Sequence, residues 1–236
     1  MLPVPPPLPR PWHLAIVDDD AAVLRALSRM LAACGYEVSS FRSAEDFLNG
    51  LQSAAPDAML LDLRMPGADG LVLLEMLRGR GYHIPTVFLS GHADVPTSVR
   101  AIRAGAVDFL EKPCDEPTLL ASLSRAFDVA RRDRQAAASD ADLHGRWRTL
   151  TPREREVCRL VVQGRLNKQI ASTLGTTEKT VKVHRARGIT KMEANSVADL
   201  VRMVDRLAEV GALDEPALQG SLALYTPPVS ATATAR

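Results

Sequence analysis

Residues Met59–Gly70 read MLLDLRMPGADG, and their order decides the fold of the first half of the chain. Met59, Leu60 and Leu61 lead into Asp62, and a loop carrying Pro66 and Gly67 follows at once. An apolar run that stops in this way predicts a buried strand with a carboxylate at its carboxyl end, the edge where open parallel sheets build their sites. An aspartate before a turn is also an ordinary turn former, so Asp62 needs company before it suggests chemistry.

Three other runs supply that company. His13 to Val17 ends in Asp18, Asp19 and Asp20; Thr86 to Leu89 ends in Ser90; Val107 to Leu110 ends in Glu111, Lys112 and Pro113. Val38 to Phe41 is a further short strand. Helical stripes separate these runs: Val23, Leu24, Leu27, Met30 and Leu31 before Gly35, then Ala44 to Leu51, Leu71 to Arg78, Thr97 to Ala104, and a helix from Pro117 onward. Strands alternating with helices in this way predict an α/β doubly wound, parallel five-stranded sheet, whose topology gathers the strand ends on one rim.

Unit charges about 4 Å apart repel by about 4 kcal/mol at an effective dielectric of 20, so Asp18 or Asp19 beside Asp62 calls for a cation. A hard divalent ion such as Mg²⁺ answers that need, because it accepts one or two carboxylates and completes its shell with water and phosphate oxygens. Asp62 could then attack a phosphorus to form an acyl phosphate, with Lys112 and the Ser90 hydroxyl binding the transferred oxygens.

Asp18 and Asp19, Asp62 with Met65-Pro66-Gly67 and Asp69-Gly70, Ser90-Gly91, and Lys112-Pro113 stand in an order that resembles the receiver domain of two-component response regulators, over residues 12–126. The resemblance implies a flavodoxin-like fold in which Asp62 takes phosphate from a sensor histidine kinase. It also implies Asp18, Asp19 and Asp62 at a Mg²⁺ ion, Ser90 and Lys112 as switch residues, Phe109 as a rotating aromatic, and a cis bond before Pro113. The stretch from Pro96 to Glu111 is the expected transmitter. A phosphohydrolase using Asp62 as nucleophile is the enzymatic alternative, but Arg64 occupies the place where such an enzyme wants a second acid.

Charge is divided unevenly along the 236 residues, although the net charge is only +1. Residues 12–126 hold ten Lys/Arg and fifteen Asp/Glu, a net −5, whereas residues 144–211 hold fourteen and seven, a net +7. A polyanion is the natural partner of the second half. No apolar run approaches the ~20 residues of a membrane helix, and MLPVPPPLPRP lacks the apolar centre of a signal peptide, so a cytoplasmic protein that does not enter membranes is expected. Cys34, Cys114 and Cys158 are widely spaced and read as reduced thiols.

Thr151-Pro152-Arg153-Glu154 opens a helix with a capping hydroxyl, a proline whose missing donor does no harm, and an acid near the positive end of the dipole. Val157, Leu160 and Val161 form its apolar face, and Gly164 ends it. A short helix from Asn167 to Leu174, a turn at Gly175 and a longer basic helix from Glu178 to Met192 complete a helix-turn-helix. With Val181, Gly188 and Met192 turned inward, Lys179, Lys182, Val183, Ala186 and Arg187 face outward to reach a DNA major groove. The final helix, Ser196 to Ala208, carries more apolar residues than so small a domain buries, which suggests a dimer surface.

These residues, with Thr180-Val181-Lys182-Val183-His184-Arg185 and Lys191-Met192, resemble the LuxR-type output domain of the FixJ/NarL class. The resemblance implies an all-α four-helix domain over residues 149–211. It adds Lys168, Thr180 and Lys191 to the expected contacts with promoter DNA, and implies a homodimer formed on phosphorylation. Two residues depart from the pattern: Leu166 stands where a Ser or Thr cap is common, and Gly188 should loosen the recognition helix by about 1 kcal/mol against Ala. A helical linker is expected over residues 127–148. Residues 1–11 and 212–236 are expected to be an extended proline-rich segment and a disordered tail.

Overall fold

The computed structural model describes residues 11–51, 55–91 and 94–213, so the expectations for the proline-rich start and nearly all of the tail lie outside the described residues. The chain divides into two compact units, Met1–Gln135 and Ala136–Arg236. No helix among the described residues is long and apolar enough to cross a membrane.

The first unit alternates β1 (His13–Val17), α1 (Ala21–Ala33), β2 (Glu37–Phe41), α2 (Ala44–Gly50), β3 (Ala58–Asp62), α3 (Gly70–Gly79), β4 (Thr86–Ser90), α4 (Val95–Arg103) and β5 (Asp108–Glu111), and then enters α5 (Glu116–Thr149). All strand pairs are parallel, in the order β2-β1-β3-β4-β5, as the alternation demands. The central strands β3 and β4 are buried at every position, which is why they read as unbroken apolar runs. Alternate side chains feed two cores: Ala15, Met59, Leu61 and Phe88 on one face of the sheet, Leu14, Ile16, Leu60 and Val87 on the other. Helix starts are fixed by side chains, with Asp20 capping α1, Asp69 capping α3 and Asp94 capping α4.

Helix α5 runs unbroken through the segment expected to be linker, and its early turns belong to the first unit. Phe127 and Ala130 are buried in the core beneath the sheet, and the Phe127 ring packs 4.8 Å from Trp12 and 5.2 Å from Tyr36. One turn further, Arg134 stacks over Trp12 at 5.2 Å and forms an ion pair with the buried Asp57, whose other oxygen accepts the His13 N–H at 3.0 Å. Residues 127–134 are therefore not a free spacer, because an aromatic cluster and a buried carboxylate hold them to the amino-terminal edge of the sheet.

The second unit contains the end of α5 and four further helices: α6 (Pro152–Val162), α7 (Asn167–Thr173), α8 (Glu178–Met192) and α9 (Val197–Glu209). Thr151 caps α6 in a reciprocal capping box with Glu154. Leu166 gives α7 no side-chain cap, yet Gln169 Oε1 accepts the Leu166 N–H at 2.8 Å, so half of the box survives. Trp147 and Leu150 from the end of α5 complete the core with Val157, Ile170, Val181, Met192, Leu200 and Leu207.

Gly188 corrects the expectation of a loosened recognition helix. It is buried at the crossing of α6 and α8, and a Cβ built there would lie 2.5 Å from Cys158 Sγ. The glycine is required by close helix approach, and its propensity cost is offset by packing. Gly188→Ala is expected to destabilise the second unit by about 1–3 kcal/mol through overpacking, despite the ~1 kcal/mol that alanine gains in helix propensity. Cys158→Ala should relieve most of that loss in the double variant; additive losses in a denaturation cycle would show that Gly188 answers to something else.

Candidate functional site: an acidic rim with one lysine

Strand register brings the expected residues together. Val17 pairs with Leu61, Asp62 with Leu89, and Ser90 with Glu111, so Asp18, Asp62, Ser90 and Lys112 emerge side by side where four strands end. The Lys112 ammonium lies between two carboxylates, donating to Asp18 Oδ2 at 2.6 Å and to Asp62 Oδ1 at 2.8 Å. The remaining oxygens take backbone donors: Asp20 N–H gives to Asp18 Oδ1 at 2.9 Å, and Arg64 N–H to Asp62 Oδ2 at 2.9 Å. Asp18 and Asp62 are almost wholly buried, Ser90 is fully so, and Asp19 is half-buried.

The loop after β3 needs a particular neighbour. A Cβ on Gly70 would collide with the Asp62 carbonyl oxygen and come within 2.9 Å of the Phe88 ring, so only glycine lets α3 start this close to the acid. The Lys112–Pro113 bond is cis, and the Lys112 N–H donates to the Ser90 carbonyl at 2.8 Å. Phe109, half-buried on β5, stacks at 6.2 Å from Phe88.

Electrostatics set Asp62 apart. Burial pushes its carboxyl above the ordinary range and outweighs the bond and charge of Lys112, while the Asp18 charge adds to the rise. For Lys112 burial acts the other way, but the two carboxylates prevail and hold its ammonium above the ordinary value. Asp18, Asp19 and Asp62 offer hard oxygen donors of the kind Mg²⁺ prefers, so the residues fit that ion chemically. Among the described residues no three His, Cys, Asp or Glu side chains are arranged to enclose a metal, and Lys112 occupies the space between two of the carboxylates.

In the second unit, Lys179, Lys182, Val183, Ala186 and Arg187 are exposed on α8, and Lys168 is exposed on α7. Thr180 is half-buried, and its hydroxyl is bonded to that of the capping Thr177 at 2.9 Å. Lys191 is placed elsewhere. Its Nζ donates to Glu154 Oε2 at 2.7 Å and to the Thr149 carbonyl at 3.1 Å, tying the end of α8 to the start of α6. Burial alone would raise the Glu154 carboxyl, but Lys191 and the Thr151 N–H together hold it below its ordinary value. Sequence reasoning placed Lys191 at the DNA because spacing gives no sign of a buried acid thirty-seven residues away.

Two outcomes test these assignments. Native Asp62 holds its proton more tightly than the unfolded chain does, so this group's contribution to stability falls as pH rises from 3.8 through the raised native value. Asp62→Asn should flatten that slope in urea melts and raise Tm at neutral pH; a lower Tm would mean that the ion pair outweighs burial. Lys191→Met, which leaves buried Glu154 without its cation, should destabilise the second unit by about 1–3 kcal/mol. The salt slope of DNA binding should stay unchanged, whereas loss of a phosphate contact would flatten it by about one.

The sequence matches the response regulator receiver domain over residues 14–124 and the bacterial regulatory proteins of the luxR family over residues 148–204. It is 43% identical over 194 residues to the response regulator protein TmoT of Ectopseudomonas mendocina, covering 82% of this chain and 88% of that protein. It is 38% identical to the transcriptional regulatory protein FixJ of Bradyrhizobium diazoefficiens, covering 82% and 95%. Among solved structures, the response regulator StyR superposes with a TM-score of 0.69 at 38% identity, covering 82% of this chain and 98% of that one. The chain therefore belongs to the two-component response regulators that join a receiver to a LuxR-type DNA-binding domain, a family of transcriptional regulators.

Proposed function

We propose that Asp62 is the phosphoacceptor of this regulator, and that its phosphorylation by a sensor histidine kinase controls dimerisation and promoter binding. The observation that carries this reading is the buried Asp62 carboxylate held against Lys112 and Asp18 at the carboxyl edge of the sheet.

An Asp62 oxygen attacks the phosphorus of a phosphohistidine; the new O–P bond forms as the P–N bond breaks, and the imidazole leaves with the electron pair. The Arg64 N–H keeps the carboxylate oriented, since it already holds Oδ2. Lys112, which holds both acids, turns its charge to the transferred oxygens, and the Ser90 hydroxyl joins it. Mg²⁺ held by Asp18, Asp19 and Asp62 supplies neutralisation of the phosphoryl charge when bound. Arg64 stands where a phosphohydrolase would carry a second acid, which supports storage of the phosphoryl group rather than its turnover.

Phe109 lies on β5, which packs against α4, whose Val95, Val99 and Ile102 are exposed by 76%, 43% and 47%. Spaced at i, i+4 and i+7, they form an apolar stripe that suits a second copy of the phosphorylated receiver. In the output half, Lys179, Lys182, Val183, Ala186 and Arg187 on α8 enter the major groove, with Thr180 and Lys168 at its margins. A regulator that acts on promoter DNA works in the cytoplasm.

Acetyl phosphate with Mg²⁺ should add one phosphoryl group to the wild type and none to Asp62→Ala in intact-mass spectra. Lys182→Ala and Arg187→Ala should keep that label while losing DNA affinity, by about 1–3 kcal/mol at a base contact or with a flattened salt slope at a phosphate. A label that survives Asp62→Ala, or wild-type DNA binding in both α8 variants, would overturn the corresponding half of the reading.

A further inference from the structure

The ends of α5 and α8 exchange cations. Arg146, in the last turn of α5, donates from Nη1 to the carbonyl of Met192, the last residue of α8, at 3.4 Å. Lys191 of α8 donates in return to the carbonyl of Thr149, the last residue of α5, at 3.1 Å. The final carbonyls of a helix have no partner within it and lie at the negative end of its dipole, so each helix supplies the charge that suits the other's end. Arg146 is itself braced, because its Nη2 meets Asp142 at 2.7 Å and its Nη1 meets Glu193 at 3.0 Å.

Glu193 ends α8 at φ 55° and ψ 32°, and among the described residues it is the one non-glycine residue with a positive φ. Glycine or asparagine is the usual occupant of such a helix end, since other L side chains are disfavoured there. The Glu193 side chain is 67% exposed, and an ion pair so exposed contributes little to stability. Neither backbone preference nor stability accounts for a glutamate at this point, whereas its contact with Arg146 does. The clasp also sits at one end of a lever. Gly188 is buried where α8 crosses α6; Lys191 to Glu193 lie on one side of the crossing, and Lys179, Lys182 and Val183 on the other. At 1.5 Å per residue the arms are alike, about 8 Å from Gly188 to Glu193 and about 9 Å to Lys182, so a shift at the clasp reappears at Lys182 with similar size. Arg185 donates to Asn167 Oδ1 at 3.2 Å and ties α7 to the same arm.

We propose that Arg146, with Glu193 as its partner, is a positioning residue that holds the recognition helix in the pose for base-specific readout and does not itself touch DNA. A binding constellation works only when held to within about 0.5 Å, a displacement small enough for a weak surface clasp to govern through the lever. The role presupposes the entry of α8 into the major groove proposed above, and names what sets its pose there.

The full-length protein, treated with acetyl phosphate and Mg²⁺, is used to enrich one duplex from a pool of random sequence. Binding isotherms on that duplex and on a scrambled one then give a specificity ratio for each variant. Arg146→Ala should lower the ratio about three- to tenfold, part of the worth of one base contact, while scrambled DNA is bound as before with an unchanged salt slope. Arg146→Lys, which keeps the charge and loses the fork, should recover part of the ratio. Glu193→Gly should lower the ratio as well, although glycine suits the positive φ and leaves Tm unchanged or raised. A fall in Tm that accompanies the lost ratio in Glu193→Gly would reduce the clasp to a structural role and overturn the proposal. Equal losses on both duplexes in Arg146→Ala would also overturn it, a flattened salt slope marking a direct phosphate contact. Lys182→Ala separates the two levels: if it loses affinity while the Arg146 and Glu193 variants keep the wild-type ratio, the positioning role alone falls. If Lys182→Ala binds as the wild type does, or no duplex is enriched, entry of α8 into the groove falls and the positioning role with it.

Discussion

A single ammonium between two buried carboxylates holds the receiver's working edge together. The Lys112 bonds to Asp18 and Asp62 are made across 94 and 50 residues, so they form only when β1, β3 and β5 have their final order and register. Without that cation the two acids would repel by about 4 kcal/mol at 4 Å and an effective dielectric of 20. Much else around the rim serves the contact: glycine at position 70 admits α3 close to Asp62, the Asp20 and Arg64 N–H groups take the outer oxygens, and buried apolar runs carry each acid to the strand end. A cluster this dependent on topology is also one that a change in the neighbourhood of any single member can disturb.

The second unit uses the same chemistry to the opposite end. Glu154 is as buried as Asp62 and also meets a lysine, yet its carboxyl is held down where that of Asp62 is pushed up. Glu154 accepts the Thr151 N–H as well as Lys191, and among the described residues that lysine pairs with no other acid. Asp62 has one lysine shared with a rival acid, and burial prevails. A carboxylate at ease in its surroundings fixes two helices in place, whereas one kept under electrostatic tension is suited to take on new chemistry.

Much of this was legible in the sequence because the relevant signals are local. Apolar runs that stop in acids, glycine and proline after them, and the alternation of strand with helix place Asp18, Asp62, Ser90 and Lys112 on one edge by topology alone. The outward face of α8 follows from its period, since Val181, Gly188 and Met192 are indeed its buried residues. What escaped notice depends on pairs far apart in the chain. Gly188 looks like a weakness until Cys158 is found against it, Lys191 looks like a DNA contact until Glu154 appears beneath it, and Phe127 looks like linker until Trp12 and Tyr36 are seen to enclose it. Helical period alone cannot distinguish a charged residue facing water from one facing an acid on another helix.

The aromatic cluster of Trp12, Tyr36 and Phe127, closed by Arg134 on Asp57, bears on how such regulators exchange parts. The recognisable receiver sequence stops at residue 124, but the packing that finishes its lower edge extends one further decade of residues along α5. A chimera joined at the sequence boundary would inherit Asp57 without its arginine and Trp12 without the ring it lies against. Recombination, natural or engineered, should therefore favour crossovers after Gln135, where the junction severs neither the buried charge nor the ring stack. The unit of inheritance is thus longer than the unit of sequence similarity.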